Sequence, residues 1–159
     1  VTDVILFVCM TDLCQSPLAK GVLRRELNAA SLDFRVESAA TSNWNTGDPP
    51  DERAIVAARL RGMDISESRA QQISPGHFVS ASLIIPMSQR DVAQLEKWRP
   101  AGVDTPVRLL SSFAPDIDYS DIPDPYYTGR FDPVIDLIET CVAGLVEELK
   151  TNGLPKAGS

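Results

Sequence analysis

The chain has 159 residues, 43% of them hydrophobic and 23% charged, which is enough for one core and fits a single globular domain. A formal charge of -7 and a pI near 4.6 argue against a general nucleic-acid partner, so any anion site must rest on local donors. No apolar run approaches the roughly 18 residues of a membrane span. Three cysteines are too few for a disulfide scaffold, and a single histidine, His77, weakens any zinc site or His-based triad.

The first residues lack the basic-then-apolar order of a secretory signal, so a reducing cytoplasm is the expectation, with no metal or cofactor implied. Val4 to Val8 is a near-continuous apolar run, the pattern of a parallel strand buried on both faces. Pro17 suits a first helical turn, and Leu18, Val22, Leu23 and Leu27 recur at helical spacing to about Ala30. Phe34 to Ala39 reads as a second strand. A loop rich in Ser, Asn, Gly and Pro spans Thr41 to Pro50, long enough to carry function. Asp51 to Arg61 reads as a helix closed by Gly62. Ser82 to Met87 reads as a third strand, Asp91 to Trp98 as a helix and Val107 to Leu110 as a fourth strand. A loop with several acidic residues runs from Ala114 to Arg130. The last helix runs from about Pro133 to Lys150, with Ile135, Ile138, Val142, Leu145, Val146 and Leu149 on one face. Residues 1–150 form the expected domain and 151–159 an expected flexible tail.

Strands alternating with helices imply a doubly wound α/β sheet with helices on both faces. Ligands of such sheets sit beyond the carboxyl ends of the strands, which singles out Cys9. After Cys9 come Met10, Thr11, Asp12, Leu13, Cys14, Gln15 and Ser16, then Pro17 in the helix start. A loop between strand end and helix N-terminus gathers backbone N–H groups and the positive end of a helix dipole. Such a nest binds an oxyanion and favours a cysteine thiolate. Ser16 is placed to donate to that sulfur.

With this loop, Ser38-Ala39-Ala40-Thr41, Met87-Ser88 and Asp124-Pro125-Tyr126-Tyr127, the chain resembles the low-molecular-weight protein tyrosine phosphatases from about Asp3 to Lys150. The resemblance implies a flavodoxin-like three-layer sandwich with a four-stranded parallel sheet of order 2-1-3-4. It implies that Cys9 attacks phosphorus to form a phosphocysteine. Asp124 would protonate the leaving phenol oxygen and then act as base for the hydrolytic water. Ser38 and Ser88 would support the loop, and Trp44, Tyr126 and Tyr127 would wall a cleft for a flat aryl group. Phosphotyrosine proteins or small aryl phosphates are the implied partners, with inorganic phosphate or another oxyanion held weakly.

The chain departs from the pattern where the family has Cys, five residues, then Arg-Ser-Pro: here Gln15 stands in place of the arginine. Glutamine has no charge and cannot offer a bidentate fork to two phosphate oxygens. The family's Gly and Asn in the loop are Thr11 and Asp12, and the Asp after Met87 is Ser88. An Asp12–Ser88 hydrogen bond is the expected replacement for an Asn–Asp one. Arg53, Arg69, Arg90 and Arg130 are candidates to restore the charge, each read first as a solvated surface residue. Cys14 reads as packing under the loop, with a Cys9–Cys14 disulfide as the other possibility, and Cys141 as core. The leading expectation is a family member with a degenerate phosphate loop, weak or inactive as a phosphatase and acting as a binding or regulatory module. An active aryl phosphate monoesterase is the alternative, and an arsenate reductase-like thiol redox protein a weaker one.

Overall fold

The computed structural model describes residues 2–157. Strand β1, Val4–Cys9, is buried at all six positions, as its unbroken apolar run requires. It pairs in parallel with β2, Arg35–Ala40, on one side and β3, Leu83–Pro86, on the other. The register sets Cys9 opposite Ala40 and Val8 opposite Pro86, so the nucleophile candidate ends the central strand.

Alternate residues of β1 face opposite layers. Ile5, Phe7 and Cys9 pack with Leu18, Leu23, Ile135, Ile138 and Val142, contributed by helices α1, Gln15–Ala29, and α6, Phe131–Asn152. Leu6 and Val8 pack instead with Phe78 of α3, Pro75–Ser80, and Leu95 of α4, Gln89–Trp98. Each fully buried aliphatic or aromatic side chain contributes roughly 1.5–3 kcal/mol of transfer free energy. The two apolar layers thus clamp the sheet from both sides. The remaining helices, α2 at Glu52–Arg59 and α5 at Pro125–Thr128, sit beside the carboxyl end of the sheet.

The sheet order is β2-β1-β3, with the expected fourth strand reduced to a single parallel bridge between Ile84 and Val107. Ile84 donates to the Pro106 carbonyl and accepts from the Arg108 N–H. The pairing stops there because the chain turns into a 3-10 helix at Leu110–Phe113. Helix α6 lies close against that turn at Gly144, where an added Cβ would meet the Phe113 carbonyl oxygen at 1.8 Å.

Other elements also differ from the sequence reading. α2 ends at Arg59 with Leu60 as its cap, instead of running to Arg61 and Gly62. α5 falls inside the expected loop from Ala114 to Arg130. α3 was not anticipated, being six residues opened by Ser74 and Pro75. α4 begins at Gln89 rather than Asp91, because Ser88 caps it. α6 runs two residues past the expected end at 150, and Leu154 packs against the core, so the segment from 151 is not all tail. Residues 158 and 159 of that expected tail lie outside the described residues.

Candidate active site

The segment after β2 shapes the cysteine loop. Thr41 and Ser42 donate their N–H groups to the carbonyls of Cys9 and Met10, and Asp51 donates to that of Leu13. A trans peptide holds its N–H opposite its C=O. Fixing these carbonyls on the 41–51 side therefore turns the N–H groups of Met10, Thr11 and Cys14 away from that side. Asp12 adopts a positive φ of 59°, a left-handed conformation that Asp and Asn tolerate better than other non-Gly residues. Its N–H points at Cys9 Sγ over 3.3 Å. Pro17 sits in the first turn of α1, where a missing N–H costs nothing.

Cys9 and Ser16 are both buried, with Sγ and Oγ 3.0 Å apart. Ser16 also donates to Asp12 Oδ1 over 2.7 Å. The other Asp12 oxygen accepts the Gln71 N–H at 3.3 Å, and Ser38 lies beside the same carboxylate. Burial raises the Asp12 pKa, while Ser16, Ser38 and Gln71 pull it back down. Cys9 is pushed up to about 11, first by burial and then by the Asp12 charge. The thiol is thus the dominant form at neutral pH. Cys14 is raised too, by burial and then by Asp51 and Asp124, and all three cysteines are free.

The expected Asp12–Ser88 bond is a correction: Asp12 faces Ser16, Ser38 and Gln71, while Ser88 bonds Asp91. Ser88 Oγ donates to Asp91 Oδ2 at 2.9 Å and accepts from the Asp91 N–H at 3.2 Å. Ser88 thus caps α4 instead of supporting the loop. The Ser88-Gln89-Arg90-Asp91 spacing was a capping signal legible in the sequence. Gln71, which the sequence analysis did not place in the site, supplies the N–H that holds Asp12.

Gln15 is buried, and its amide nitrogen donates to the Ile122 carbonyl over 2.7 Å. Ile122 in turn donates its N–H to the Met87 carbonyl. The residue at the arginine position is therefore spent on a backbone tie to the acidic loop. Sequence reasoning missed Ile122, which carries no polar side chain to mark it.

Among the described residues no arginine bonds the loop from 9 to 16. Arg53 grips Asp51 through two bonds of 3.0 and 2.9 Å, donates to the Tyr126 carbonyl, and lies over the Tyr126 and Phe131 rings. Arg69 bonds the carbonyls of Ser66 and Ser68. Arg90 and Arg130 are exposed, Arg90 lining a cavity that Met10 and Trp44 also border and Arg130 a groove between α2 and the start of α6. Lys20 is the cation whose charge reaches Asp12.

Asp124 caps α5 by accepting the Tyr126 N–H at 3.0 Å. It lines a cleft of about 170 Å³ with Met10, Thr11, Leu13, Trp44, Tyr126 and Tyr127. The two tyrosine rings meet edge to face at 5.0 Å, and Trp44 is exposed. The structure thus brings the aromatic residues, Asp124 and the mouth of the cysteine loop to one rim. Among the described residues no group of three His, Cys, Asp or Glu side chains is arranged to hold a metal, and no helix is long and apolar enough to cross a membrane.

A strand-end cysteine, the loop that follows it and an Asp-Pro-Tyr-Tyr rim thus stand together in this chain. The family profile described as low molecular weight phosphotyrosine protein phosphatase matches residues 4–154. This chain belongs to that family. Among its relatives, the low molecular weight protein-tyrosine-phosphatase of Streptomyces coelicolor is 32% identical over 155 residues, covering 92% of this chain and 93% of that protein. YfkJ of Bacillus subtilis, a low molecular weight protein-tyrosine-phosphatase, is 30% identical over 138 residues, with 86% and 88% covered. The YfkJ crystal structure superposes with a TM-score of 0.91, covering 97% of this chain and 98% of that one. A protein tyrosine phosphatase from Entamoeba histolytica, crystallised with Hepes in its active site, superposes with a TM-score of 0.90 at 25% identity, with 96% and 100% covered. The flavodoxin-like α/β architecture expected of the low molecular weight phosphatases is thus present over nearly the whole chain, with the fourth strand abbreviated.

Proposed function

We propose that this low molecular weight phosphatase family member is a weak phosphomonoesterase whose cysteine loop serves mainly to bind an aryl oxyanion or phosphotyrosine-like group. The observation that carries this reading is the fate of position 15: its amide is committed to Ile122, the loop holds the Asp12 carboxylate, and among the described residues no arginine bonds that loop. Phosphoryl transfer moves charge onto the non-bridging oxygens, where fixed positive donors do most of the work. Removing even one neutral donor from such a site costs on the order of 3–4 kcal/mol, or about a thousand-fold.

Residual chemistry follows the family route. Cys9 Sγ attacks phosphorus, the P–O bond to the aryl group breaks, and Asp124 gives its proton to the departing oxygen. Asp124 then takes a proton from the water that opens the phosphocysteine. The raised Cys9 pKa means that little thiolate is ready at neutral pH, which slows the first step further.

A second reading, full phosphatase activity, draws on the names of the relatives and on Cys9, Ser16 and Asp124 being in place. Hydrolysis of a nitrophenyl phosphate by the wild type and Cys9→Ser, beside an intact family enzyme, separates the two. Turnover about a thousand-fold below the intact enzyme and abolished in Cys9→Ser supports the weak reading. Comparable turnover defeats it.

A further inference from the structure

The cysteine loop poses a problem of proton count that its hydrogen bonds answer. Ser16 Oγ lies 2.7 Å from Asp12 Oδ1 and 3.0 Å from Cys9 Sγ. A hydroxyl carries one proton, so Ser16 donates to only one of these neighbours at a time. With Asp12 ionised, that proton lies toward Asp12, and Cys9 must be the donor across the Sγ–Oγ contact. With Cys9 ionised, the Ser16 proton turns to sulfur, and Asp12 must carry a proton to keep the shorter contact. Both arrangements use the same heavy atoms and carry the same single negative charge. They differ only in the direction of two hydrogen bonds.

We propose that Ser16 relays the Cys9 thiol proton to Asp12, making Asp12 a positioning residue that sets when the nucleophile is ionised. The S–H bond breaks, leaving its electron pair on sulfur, as a new H–Oγ bond forms on Ser16. The original Oγ–H bond breaks as that proton joins Asp12 Oδ1, yielding thiolate, hydroxyl and neutral carboxylic acid. The left-handed turn at Asp12 makes this possible, because one residue then reaches Cys9 through its N–H and Ser16 through its carboxylate. The Gln71 N–H holds the outer oxygen of the carboxylate in either state. The inference rests on Cys9 being the nucleophile of the proposed function.

The charged and titratable groups around the relay are few. Lys20 of α1 faces Asp12, and Arg24 and Glu37 face Lys20. Cys14 lies toward Cys9, with Asp51, Asp124 and Arg53 beyond it. His77 reaches the relay only through Gln71, whose Oε1 it contacts at 3.3 Å. Two coupled sites share one proton between their two macroscopic titrations. Across that interval the thiolate fraction is set by the balance of the two arrangements and does not change with pH.

Alkylation of Cys9 by iodoacetamide tests this, followed at the Cys9 peptide by mass spectrometry between about pH 6 and about pH 8. A lone thiol gains about tenfold in reactivity per pH unit below its pKa. The wild type should instead vary by less than about threefold over this span. Ser16→Ala and Asp12→Asn should each restore the rise of about tenfold per unit, about a hundredfold over the span. A rise of about tenfold per unit in the wild type overturns the relay, as does a flat profile in folded Ser16→Ala. A wild-type Cys9 that stays unreactive while Asp12→Asn reacts overturns it too, since Asp12 would then only suppress the thiolate. The wild-type profile decides alone if either variant fails to fold. Alkylation needs no phosphate, so the relay stands or falls separately from the rate of aryl phosphate hydrolysis.

Discussion

The side-chain amide of Gln15 donates to the backbone carbonyl of Ile122 over 2.7 Å, tying the first residue of α1 to a loop 107 positions downstream. A group so committed is not free to follow a phosphate. Gln15→Ala should leave the Ile122 carbonyl unpaired and cost about 1–3 kcal/mol in chemical denaturation. Gln15→Arg should raise kcat/KM for an aryl phosphate, but by less than about tenfold while the Asp12 carboxylate neutralises the new charge. The double variant Gln15→Arg/Asp12→Asn should gain roughly 100-fold or more, as a charged fork then faces the nest unopposed. Steady-state kinetics on the three proteins check the order.

The aromatic rim makes a separate prediction, about binding rather than rate. Trp44 is exposed beside the cleft that Tyr126 and Tyr127 help to line. Trp44→Ala should weaken phenylphosphonate binding by about 1 kcal/mol, or roughly fivefold. Inorganic phosphate, which has no ring to stack, should bind almost unchanged. Isothermal titration with the two ligands reads the difference.

Asp91 links stability to pH. It is buried at the start of α4, and burial raises its pKa from an ordinary 3.8 to about 6, against the opposing bond from Ser88. The fold therefore prefers the protonated acid. That contribution is complete below about pH 3.8 and is lost as pH rises through about 6. Asp91→Asn keeps an oxygen for Ser88 and carries no charge, so it should stabilise the protein by on the order of 2 kcal/mol at pH 7. At about pH 4 the gain should nearly vanish. Urea melts at the two pH values measure it.

Helix α6 places Gly144 where a Cβ would lie 1.8 Å from the Phe113 carbonyl oxygen. Backbone on the far side cannot rotate away as a flexible side chain would. Gly144→Ala should therefore destabilise by on the order of 3 kcal/mol, although alanine alone favours a helix by about 1 kcal/mol. Thermal unfolding gives the sign at once.

The fold was legible where burial writes a long pattern, as in the apolar run of β1 and the helical spacing of α1 and α6. It was less so where a short segment decides. Val107 to Leu110 has the residues of a strand, yet only Val107 pairs before the turn at Leu110. α3 is too brief to show a period. In the site, the cysteine, the loop span and the substitution at 15 could all be read directly. What Gln15 and Asp12 touch could not, because their partners are a backbone carbonyl at Ile122 and an N–H at Gln71, and main-chain groups leave no trace in side-chain identity. Ser88 shows the converse, a local capping pattern that outweighed a long-range analogy.

Burying Asp12 beside the loop also changes what acidity does to this receptor. As the medium is acidified, that carboxylate takes up a proton earlier than an ordinary aspartate would, because the interior disfavours its charge. The loop keeps its N–H groups and sheds the opposing charge of Asp12, so a permanently ionised tetrahedral guest such as sulfate should be held more tightly in acid than at neutrality. A lone hydrogen ion then supplies part of what a guanidinium would have supplied, and grip on the guest becomes a gauge of ambient pH.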